Sequence, residues 1–593
     1  MKIFSFRLNF NFMLQNIKKK LKNILINREL LQWAPVLWII ILFVIPLFSF
    51  LLVNFFYVEI IGVPFFHINI SNLLKNLFYH DYLTSLVISL TVAFVTTFFG
   101  FFLSFFTFFL RSHLKKYIIA LICLPVIINP IIQFYSINSL FSTDGIFNNT
   151  LLATGIISEL INVPDTVIYS LSLFFRYLPF SFFFISILMS KLNILHIEAA
   201  IDLGLTRYNI FFKIILKKTF KGILASFGIV AILSYGNFSS AVLLPIQDRL
   251  FATQFIKLLL DTNYLNASAF SIPYAIFTIL FILFYNFYLN RSNQEQNIPT
   301  KKLSRYQCLA IAKSPITLFI NCLTLLFVHI VLLFIIFFSF NSGNSLLIFE
   351  KFSTDWYLQI FNNSDILLAI KNSFIVSTSV AIISTILGGM FALSFSKHHQ
   401  LARAKVRSKF TNIIRLPLML SEVIFCSAAL FFLNLIHIEN LFIGQILTIS
   451  IITIFVAIIF IYSQLQKFDL NMESAALDLG ADYIRTFRYV TLPSILPSLL
   501  SCFIITFVFS FNEFAISYLI TRDSFPSISS KLVELISQGA SPLINALSTL
   551  IIVISLLLLL IASFNNYHIK FQRKIKLVVI ATILFTTFLF III

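Results

Sequence analysis

Three charged side chains lie inside long apolar stretches of the chain and are the first candidates for chemistry: Arg176, Glu422 and Glu513. A charge at the centre of a membrane-spanning helix costs about 2.5–3.5 kcal/mol on insertion scales, so it needs a function or a partner. Two carboxylates in an apolar passage would offer counter-charge to a cationic solute. Alternatively, Arg176 pairs with one of the carboxylates and ties two helices together. The two interpretations are compatible with each other.

An internal repeat adds Asn237 to the candidates. The sequence E-A-A-I-D-L-G at 198–204 returns as S-A-A-L-D-L-G at 474–480, and the spacing from Glu198 to Ser474 defines the repeat offset. The same offset places Asn237 opposite Glu513, and a phenylalanine follows each of them. Polar groups at equivalent positions of two related halves would face a path between the halves. We therefore predict that Arg176, Asn237, Glu422 and Glu513 line such a path.

Membrane-spanning helices must position these residues. Of the 593 residues, 59% are hydrophobic and 11% are charged, and the mean hydropathy is +0.97. This composition is typical of a polytopic membrane protein. The apolar run from 576 to 593 is a candidate thirteenth span. A span needs about 20 apolar residues, and twelve other stretches qualify: roughly 33–56, 84–110, 117–138, 166–190, 222–245, 270–289, 316–340, 370–396, 414–434, 441–464, 499–521 and 544–563.

The distribution of basic residues predicts the orientation. With the N-terminus in the cytoplasm, the cytoplasmic segments hold 34 of the 42 lysines and arginines, as the positive-inside rule requires. The net charge of +19 is therefore assigned to loops, and we expect no nucleic-acid partner. Both halves then run in the same direction. The predicted fold class is an all-α polytopic membrane protein with two parallel six-helix repeats: a first lobe at 1–290, a cytoplasmic linker at 291–314, a second lobe at 315–565, and a basic segment with the C-terminal apolar run at 566–593.

Both copies of the repeated segment fall on the predicted cytoplasmic side. A pair of alanines with a glycine four residues later is typical of a short, close-packing helix that ends at the glycine. In the second copy, Pro493 and Pro497 are predicted to end one element and begin the next. The five cysteines have no metal-ligand spacing, and no G-x-x-x-x-G-K-[ST] sequence occurs. We expect no catalytic residue, metal or cofactor, and nucleotide binding on a separate polypeptide.

The segments 198–217 and 473–497 resemble the motif E-A-A-x-x-x-G, followed by I-x-L-P, of inner-membrane permeases of ATP-binding-cassette (ABC) importers. Lys217 departs from the proline of the motif, and Ser474 from its acidic residue. In that family the segment is a coupling helix that sits in a cleft of the ATPase subunit. The resemblance implies an ABC ATPase dimer, a periplasmic solute-binding protein and a location in the bacterial inner membrane. The implied coupling residues are Glu198, Ala199, Ala200, Gly204, Glu473, Ala475, Ala476, Gly480 and Pro493.

Further stretches narrow the resemblance. The sequences at 177–180, 416–424 and 541–549 are similar to spermidine/putrescine importer permeases. Fused two-lobed permeases are commoner among the similar ferric-iron and thiamine importers, so those substrates stay open as alternatives. A secondary transporter would couple to ions through Glu422 and Glu513. Its typical inverted repeats disagree with the parallel repeat predicted here.

Overall fold

A computed structural model provides the fold. The predicted linker at 291–314, the C-terminal segment at 566–593 and the N-terminal residues lie outside the described part of the chain. The structure describes all residues except 1–34, 53–55, 58–64, 67–79, 111, 144, 191, 193, 244–249, 262–263, 291–314, 344–348, 399–421, 439, 466–470, 522–524, 540 and 566–593.

Helices make up nearly all the regular structure of the described residues. The exceptions are one antiparallel strand pair, β1 (Phe56–Tyr57) with β2 (Phe65–Phe66), and a single bridge between Asn341 and Phe352. In the first half the helices are α1 (Pro35–Leu52), α2 (His80–Phe109), α3 (Ser112–Ile127), α4 (Pro130–Phe141), α5 (Ile146–Ala153), α6 (Asp165–Met189), α7 (Ile194–Asp202), α8 (Lys217–Tyr235), α9 (Phe251–Leu260) and α10 (Tyr264–Asn290). In the second half they are α11 (Pro315–Phe338), α12 (Asp355–Asn362), α13 (Ser364–His398), α14 (Glu422–Leu435), α15 (Leu441–Leu465), α16 (Asn471–Asp478), α17 (Leu492–Phe511), α18 (Ala515–Thr521), α19 (Ile528–Gln538) and α20 (Pro542–Asn565). Short α-helical and π-helical segments, Arg207–Asn209 with Ile210–Leu216 and Tyr483–Thr486 with Phe487–Thr491, lead directly into α8 and α17.

The predicted class, an all-α polytopic membrane protein, is confirmed. Among the described residues, eight helical segments are long and apolar enough to cross a membrane, and two shorter apolar segments lie at Asn266–Phe281 and Ile424–Leu435. Each of the twelve predicted stretches overlaps at least one helix. The eight long segments are Pro35–Leu52, Leu83–Phe109, Asp165–Met189, Thr317–Phe338, Ser364–Ser394, Leu441–Leu465, Tyr483–Phe511 and Pro542–Ala562.

The stretch predicted as the third span is not a single helix in the structure. It contains two helices, α3 and α4, that meet at Asn129. Pro130 has no backbone N–H and therefore cannot continue the hydrogen-bond ladder of α3. The Asn129 side chain accepts a hydrogen bond from the Ile131 N–H at 3.0 Å and caps the new helix α4. Local side-chain capping thus decides where this apolar stretch breaks.

The two halves share a helix scaffold. The helices α6 and α15 begin and end one repeat offset apart, and so do the ends of α8 and α17. In each half the equivalent three helices pack together: α2, α6 and α8 in the first, and α13, α15 and α17 in the second. A Cβ at Gly100 would collide with Ser181, and one at Gly388 would collide with Ala457, the repeat equivalent of Ser181. Small residues therefore let the helices approach closely at the same crossing in both halves.

The first helix of each half packs against the other half. Helix α1 packs on α14 and α15, and α11 packs on α2 and α4. The Trp38 Nε1 donates to Ser450 Oγ at 3.1 Å, and the Phe43 ring lies 5.8 Å from the Phe425 ring. On the opposite side, the Phe327 ring lies 5.8 Å from that of Phe174. This exchange of helices joins the two halves into one body.

Candidate functional site

The boundary between the halves is marked by two phenylalanines at equivalent positions of the repeat. Phe238 follows α8, and Phe514 follows α17 one repeat offset later. Their rings stack with centroids 5.5 Å apart at an interplanar angle of 19°, and each is 1% exposed. A residue that contacts its own equivalent lies at a two-fold axis. The stacked pair therefore marks the pseudo-two-fold axis, with Asn237 and Glu513 immediately beside it.

Asn237 caps the turn that ends the fifth apolar helix of the first half. Its Oδ1 accepts from the Ser240 N–H at 3.1 Å, and its Nδ2 donates to the Tyr177 hydroxyl at 2.9 Å. The Tyr169 hydroxyl donates to its backbone carbonyl at 3.1 Å. The residue is 1% exposed. In this structure the Asn237 side chain is therefore engaged inside the first half.

Glu513 caps the equivalent turn of the second half and lies between α17 and α18, not within a helix as its predicted span implied. Its Oε1 accepts from the Ile516 N–H at 2.7 Å, and its Oε2 accepts from the Ser517 N–H and hydroxyl at 3.1 Å each. Ile516 is the repeat equivalent of Ser240, so both turns are capped through the same backbone position. The second half differs because its cap is a partly exposed carboxylate.

Gln445 is a polar neighbour of Glu513 that sequence reasoning missed. Its Nε2 donates to Ser517 Oγ at 2.8 Å, the residue is 1% exposed, and its Oε1 has no partner among the described residues. A single glutamine in an apolar span carries no motif. The repeat offset was the available signal, since it pairs Gln445 with Tyr169, which also bonds to the broken span of its own half.

Arg176 and Glu422 form an ion pair between the halves. The Arg176 Nη2 lies 2.8 Å from Glu422 Oε1, and Ser239 Oγ donates to Glu422 Oε2 at 3.2 Å. Arg176 is on α6, whereas Glu422 begins α14. The sequence interpretation in which Arg176 pairs with one of the carboxylates and ties two helices together is thus observed. The side chains are 18% and 37% exposed, so the Glu422 carboxylate stays accessible in spite of the pair.

Arg176, Glu422 and Glu513 form what we call the interlobe charge cluster. Glu422 and Glu513 are within electrostatic range of each other, and Cys426, one turn after Glu422, is in range of both. With both carboxylates ionised, one arginine leaves the cluster one charge negative. Such a cluster can accept one additional positive charge. This property agrees with the cation path predicted from the sequence, which stays a prediction.

A second polar bridge joins the halves beside the cluster. The Asn129 Nδ2 donates to Ser529 Oγ at 2.8 Å, and Ser529 Oγ donates to the Glu513 backbone carbonyl at 3.0 Å. The first-half residue that caps α4 is therefore connected to the broken span of the second half. Movement of one half relative to the other would have to break this bridge as well as the Arg176–Glu422 pair.

The repeated segments end in the same turn. Helix α7 stops before Gly204, which has a φ of +76°, and α16 stops before Gly480, with a φ of +84°. Equivalent backbone hydrogen bonds close both turns, from Leu205 N to Ala200 O and from Ala481 N to Ala476 O, each at 3.0 Å. This is the Schellman motif, which favours glycine. Just before the glycines, each copy exposes a leucine: Leu203 is 81% exposed and Leu479 is 89% exposed.

The two copies differ in how the short helix is fastened. Glu473 is 7% exposed and accepts a hydrogen bond from Thr491 Oγ1 at 2.6 Å. Their equivalents in the first copy are Ile197 and Ile215, both 1% exposed members of one apolar cluster. The predicted coupling acid Glu473 therefore points into the protein, whereas Glu198 is partly exposed. The remaining predicted coupling alanines flank these positions on α7 and α16: Ala199, Ala475 and Ala476.

The prolines of the second copy do not break the chain into separate elements as predicted. A helical segment continues from Tyr483 to Phe511, with Pro493 in the first turn of α17 and Pro497 inside it. A π-helical turn at Phe487–Thr491 directly precedes α17. The first copy forms a π-helical turn at the equivalent place, although Lys217 stands where the motif has proline. The turn therefore does not depend on proline.

The contribution of the Glu473–Thr491 hydrogen bond to stability can be tested by introducing the residues of the first copy at these two positions. Thr491→Val removes a donor from a buried carboxylate and is expected to destabilise the protein by about 1–3 kcal/mol. The double variant E473I/T491I is expected to recover most of that loss, because both positions then carry the apolar residues of the first copy. Thermal unfolding in detergent measures both. A double variant less stable than T491V would contradict the proposed equivalence.

Together these features describe a polytopic α-helical protein with two equivalent helix-turns and a charge cluster between its halves. No family model matches the chain. Among curated proteins, it is 24% identical over 234 residues to the spermidine/putrescine transport system permease protein PotC of Escherichia coli K12, a match covering 40% of this chain and 87% of that protein. It is 27% identical over 251 residues to the putrescine transport system permease protein PotI of the same strain, covering 41% and 88%.

A PotC homolog of Mycoplasma pneumoniae is 26% identical over 265 residues, covering 42% of this chain and 90% of that protein. The predicted resemblance to spermidine/putrescine permeases is thus confirmed. Each relative, matched over most of its own length, spans about two fifths of this chain. Among solved structures, a bacterial ABC transporter involved in alginate import aligns with 18% identity over 47% of this chain and 100% of that one, at a TM-score of 0.35.

Proposed function

We propose that this chain is the membrane-spanning permease of an ATP-driven ABC importer for a small cationic solute, with a polyamine such as putrescine or spermidine as the first candidate. The observation that carries the proposal is the pair of glycine-ended helix-turns, each exposing a leucine, in a chain similar to polyamine permeases. The protein would lie in the bacterial inner membrane with its N-terminus in the cytoplasm, and the two lobes would be 1–290 and 315–565.

The two turns suit a docking role on a separate ATPase dimer. Leu203 and Leu479 are apolar side chains held out from the protein by a rigid turn, and fully burying one leucine contributes about 1.5–3 kcal/mol. Each is followed by a continuous helical stretch, 207–235 and 483–511, so movement of the turn would be transmitted along it as rigid-body rotation. The predicted coupling residues from Glu198 to Gly204 and from Glu473 to Pro493 would surround these contacts. A periplasmic solute-binding protein would deliver the solute.

The interlobe charge cluster supports a cationic cargo. Its two carboxylates suit any cationic cargo, and the polyamine permease relatives favour a polyamine over ferric iron or thiamine, which remain the alternative substrates. An ion-coupled secondary transporter is the rival class. The exposed twin turns would have no function in such a transporter, and so they favour the importer.

The substrate is tested by uptake into proteoliposomes that contain the chain with its ATPase and binding protein. We expect labelled putrescine or spermidine to accumulate, and unlabelled polyamine to compete better than ferric iron or thiamine. Accumulation of ferric iron or thiamine with no polyamine competition would replace the proposed substrate. A variant of the Lys531–Glu534 pair, such as E534Q, serves as a control, because that pair is not part of the cluster.

A further inference from the structure

The Arg176–Glu422 ion pair lies at the boundary between the halves. It connects α6 of the first half with the start of α14 in the second, beside the stacked Phe238 and Phe514 rings that mark the pseudo-two-fold axis. Ser239, the residue after Phe238, donates to the same carboxylate at 3.2 Å. The pair therefore joins the two halves beside the axis.

The arginine has no counterpart in the repeat. The repeat offset aligns Arg176 with Ile452, so the second half has an apolar residue at this position. By contrast, Asn237 and Glu513 are equivalent caps, and Phe238 and Phe514 are equivalent rings. An element that breaks the repeat at the axis is not needed to build the scaffold, because the second half forms the same scaffold without it. Arg176 is therefore not required for the helix scaffold and is available for a function that only one half provides.

The second-half side of the cluster offers hydrogen-bond acceptors for a cation in addition to the Arg176 guanidinium. Glu513 is partly exposed, and its Oε2 bonds to Ser517, which in turn accepts from the Gln445 Nε2 at 2.8 Å. Gln445 is 1% exposed, and its Oε1 has no donor among the described residues. The elements α14, α15 and α18, which carry or follow these residues, pack on one another. A buried acceptor without a donor next to a carboxylate suits an ammonium group, which has three N–H donors and no acceptor.

We propose that Arg176 is a tethered substitute for the ammonium group of the cargo. Without cargo its guanidinium neutralises Glu422 and holds the halves together. When an ammonium group enters beside Glu513 and Gln445, it takes over Glu422, and the released arginine lets the halves separate at the axis. This inference rests on the proposed function, because it assumes a cationic cargo. What it adds to that function is that Arg176 competes with the cargo for the Glu422 carboxylate.

Competition has a consequence that a purely structural ion pair does not share. An internal competitor lowers the apparent affinity for cargo to the intrinsic affinity multiplied by the fraction of time that Glu422 is free. Arg176→Gln removes the competitor and leaves the carboxylate, so putrescine should bind more tightly, by about 5-fold or more. A simple tie predicts no gain in putrescine affinity, because the 37% exposed Glu422 carboxylate is already accessible and losing the arginine only removes a contact between the halves. A gain in affinity therefore separates the two roles.

The experiment is titration calorimetry of putrescine into the chain in lipid nanodiscs, without the binding protein, for wild type, R176Q, R176K and the double variant R176Q/E422Q. We expect R176Q to bind at least about 5-fold more tightly, R176K to stay closer to wild type, and the double variant to bind more weakly than wild type. E534Q is the matched control, since it breaks a pair at 2.8 Å that is not part of the cluster, and its affinity should not change.

R176Q that binds putrescine no more tightly than wild type would overturn the exchange, as would a double variant that binds as well as R176Q. Thermal unfolding of the same samples shows that the variants are folded. Failure of the proposed function has a different signature: wild type then accumulates no polyamine in the ATP-driven uptake assay. If wild type takes up polyamine and R176Q does not tighten binding, the exchange alone is wrong.

Discussion

Replacing both Gly204 and Gly480 with valine is expected to abolish ATP-driven uptake while the chain still inserts and folds. Their φ angles of +76° and +84° lie in the left-handed region, where a β-branched residue costs about 1–3 kcal/mol. No atom lies within 4 Å of a Cβ built on either glycine, so the cost is backbone strain and not a clash. Relief of that strain reorients Leu203 and Leu479, the side chains proposed to meet the ATPase. Uptake by proteoliposomes measures the loss, and ATPase activity of the complex measures the uncoupling.

The matched control uses asparagine at the same two positions. Asparagine adopts left-handed backbone more readily than other non-glycine residues, and open space surrounds both sites. G204N/G480N should therefore retain most of the transport that G204V/G480V loses. Undiminished transport in the valine variant would show that the twin turns do not couple the chain to an ATPase. Equal loss in both variants would instead implicate the glycines themselves and contradict the backbone argument.

Replacing Glu513 with asparagine is expected to reduce cation uptake at least about tenfold, which corresponds to about 1.4 kcal/mol. The expected loss of stability is small. The substitution recreates the cap of the first half, where Asn237 Oδ1 accepts from the Ser240 N–H at 3.1 Å. The cap on the Ile516 N–H is therefore kept, and the removed features are the negative charge and the bonds from Ser517. Initial rates of labelled putrescine uptake, together with thermal unfolding, separate the two effects.

A second variant weakens the Glu513 cap but keeps the carboxylate charge. Ser517→Ala removes the hydroxyl that donates to Glu513 Oε2 at 3.1 Å but leaves the carboxylate and the backbone donors in place. Its expected effect is a stability loss of about 1–3 kcal/mol, because the buried Gln445 Nε2 also loses its acceptor, with more uptake retained than in E513N. The path assignment of Glu513 is wrong if E513N transports putrescine as wild type does. A loss of uptake in S517A as deep as that in E513N would indicate that the turn, and not the charge, matters.

Much of the architecture follows from features that the sequence carries in plain form. Apolar length predicts the helices, because each crossing requires about 20 such residues. The repeat offset, read from the two similar segments, also aligns Phe238 with Phe514, and these rings stack at the axis. It likewise aligns the two glycine turns, which have nearly the same φ angle. A duplicated sequence thus predicts which residues are equivalent.

Other parts of the site depend on side chains that meet only in the fold. Whether Arg176 pairs with Glu422 or with Glu513 is decided by the fold, which brings the Arg176 side chain of α6 to the start of α14, and not by spacing along the chain. Glu513 lies in a break because it caps Ile516, whereas hydropathy alone continues the helix through it. Glu473 turns inward because Thr491 offers a hydroxyl at 2.6 Å. Each of these outcomes rests on side-chain hydrogen bonds that no periodic pattern reveals.

The central claim is that transport through this chain is driven by ATP hydrolysis on a separate subunit. The most direct measurement is uptake of labelled putrescine into proteoliposomes with ATP trapped inside, with and without the ATPase subunit, and with ionophores that abolish ion gradients. We predict accumulation that requires both the ATPase and internal ATP and that persists when the gradients are abolished. Accumulation by the chain alone, driven by an ion gradient and lost with ionophore, would contradict the account.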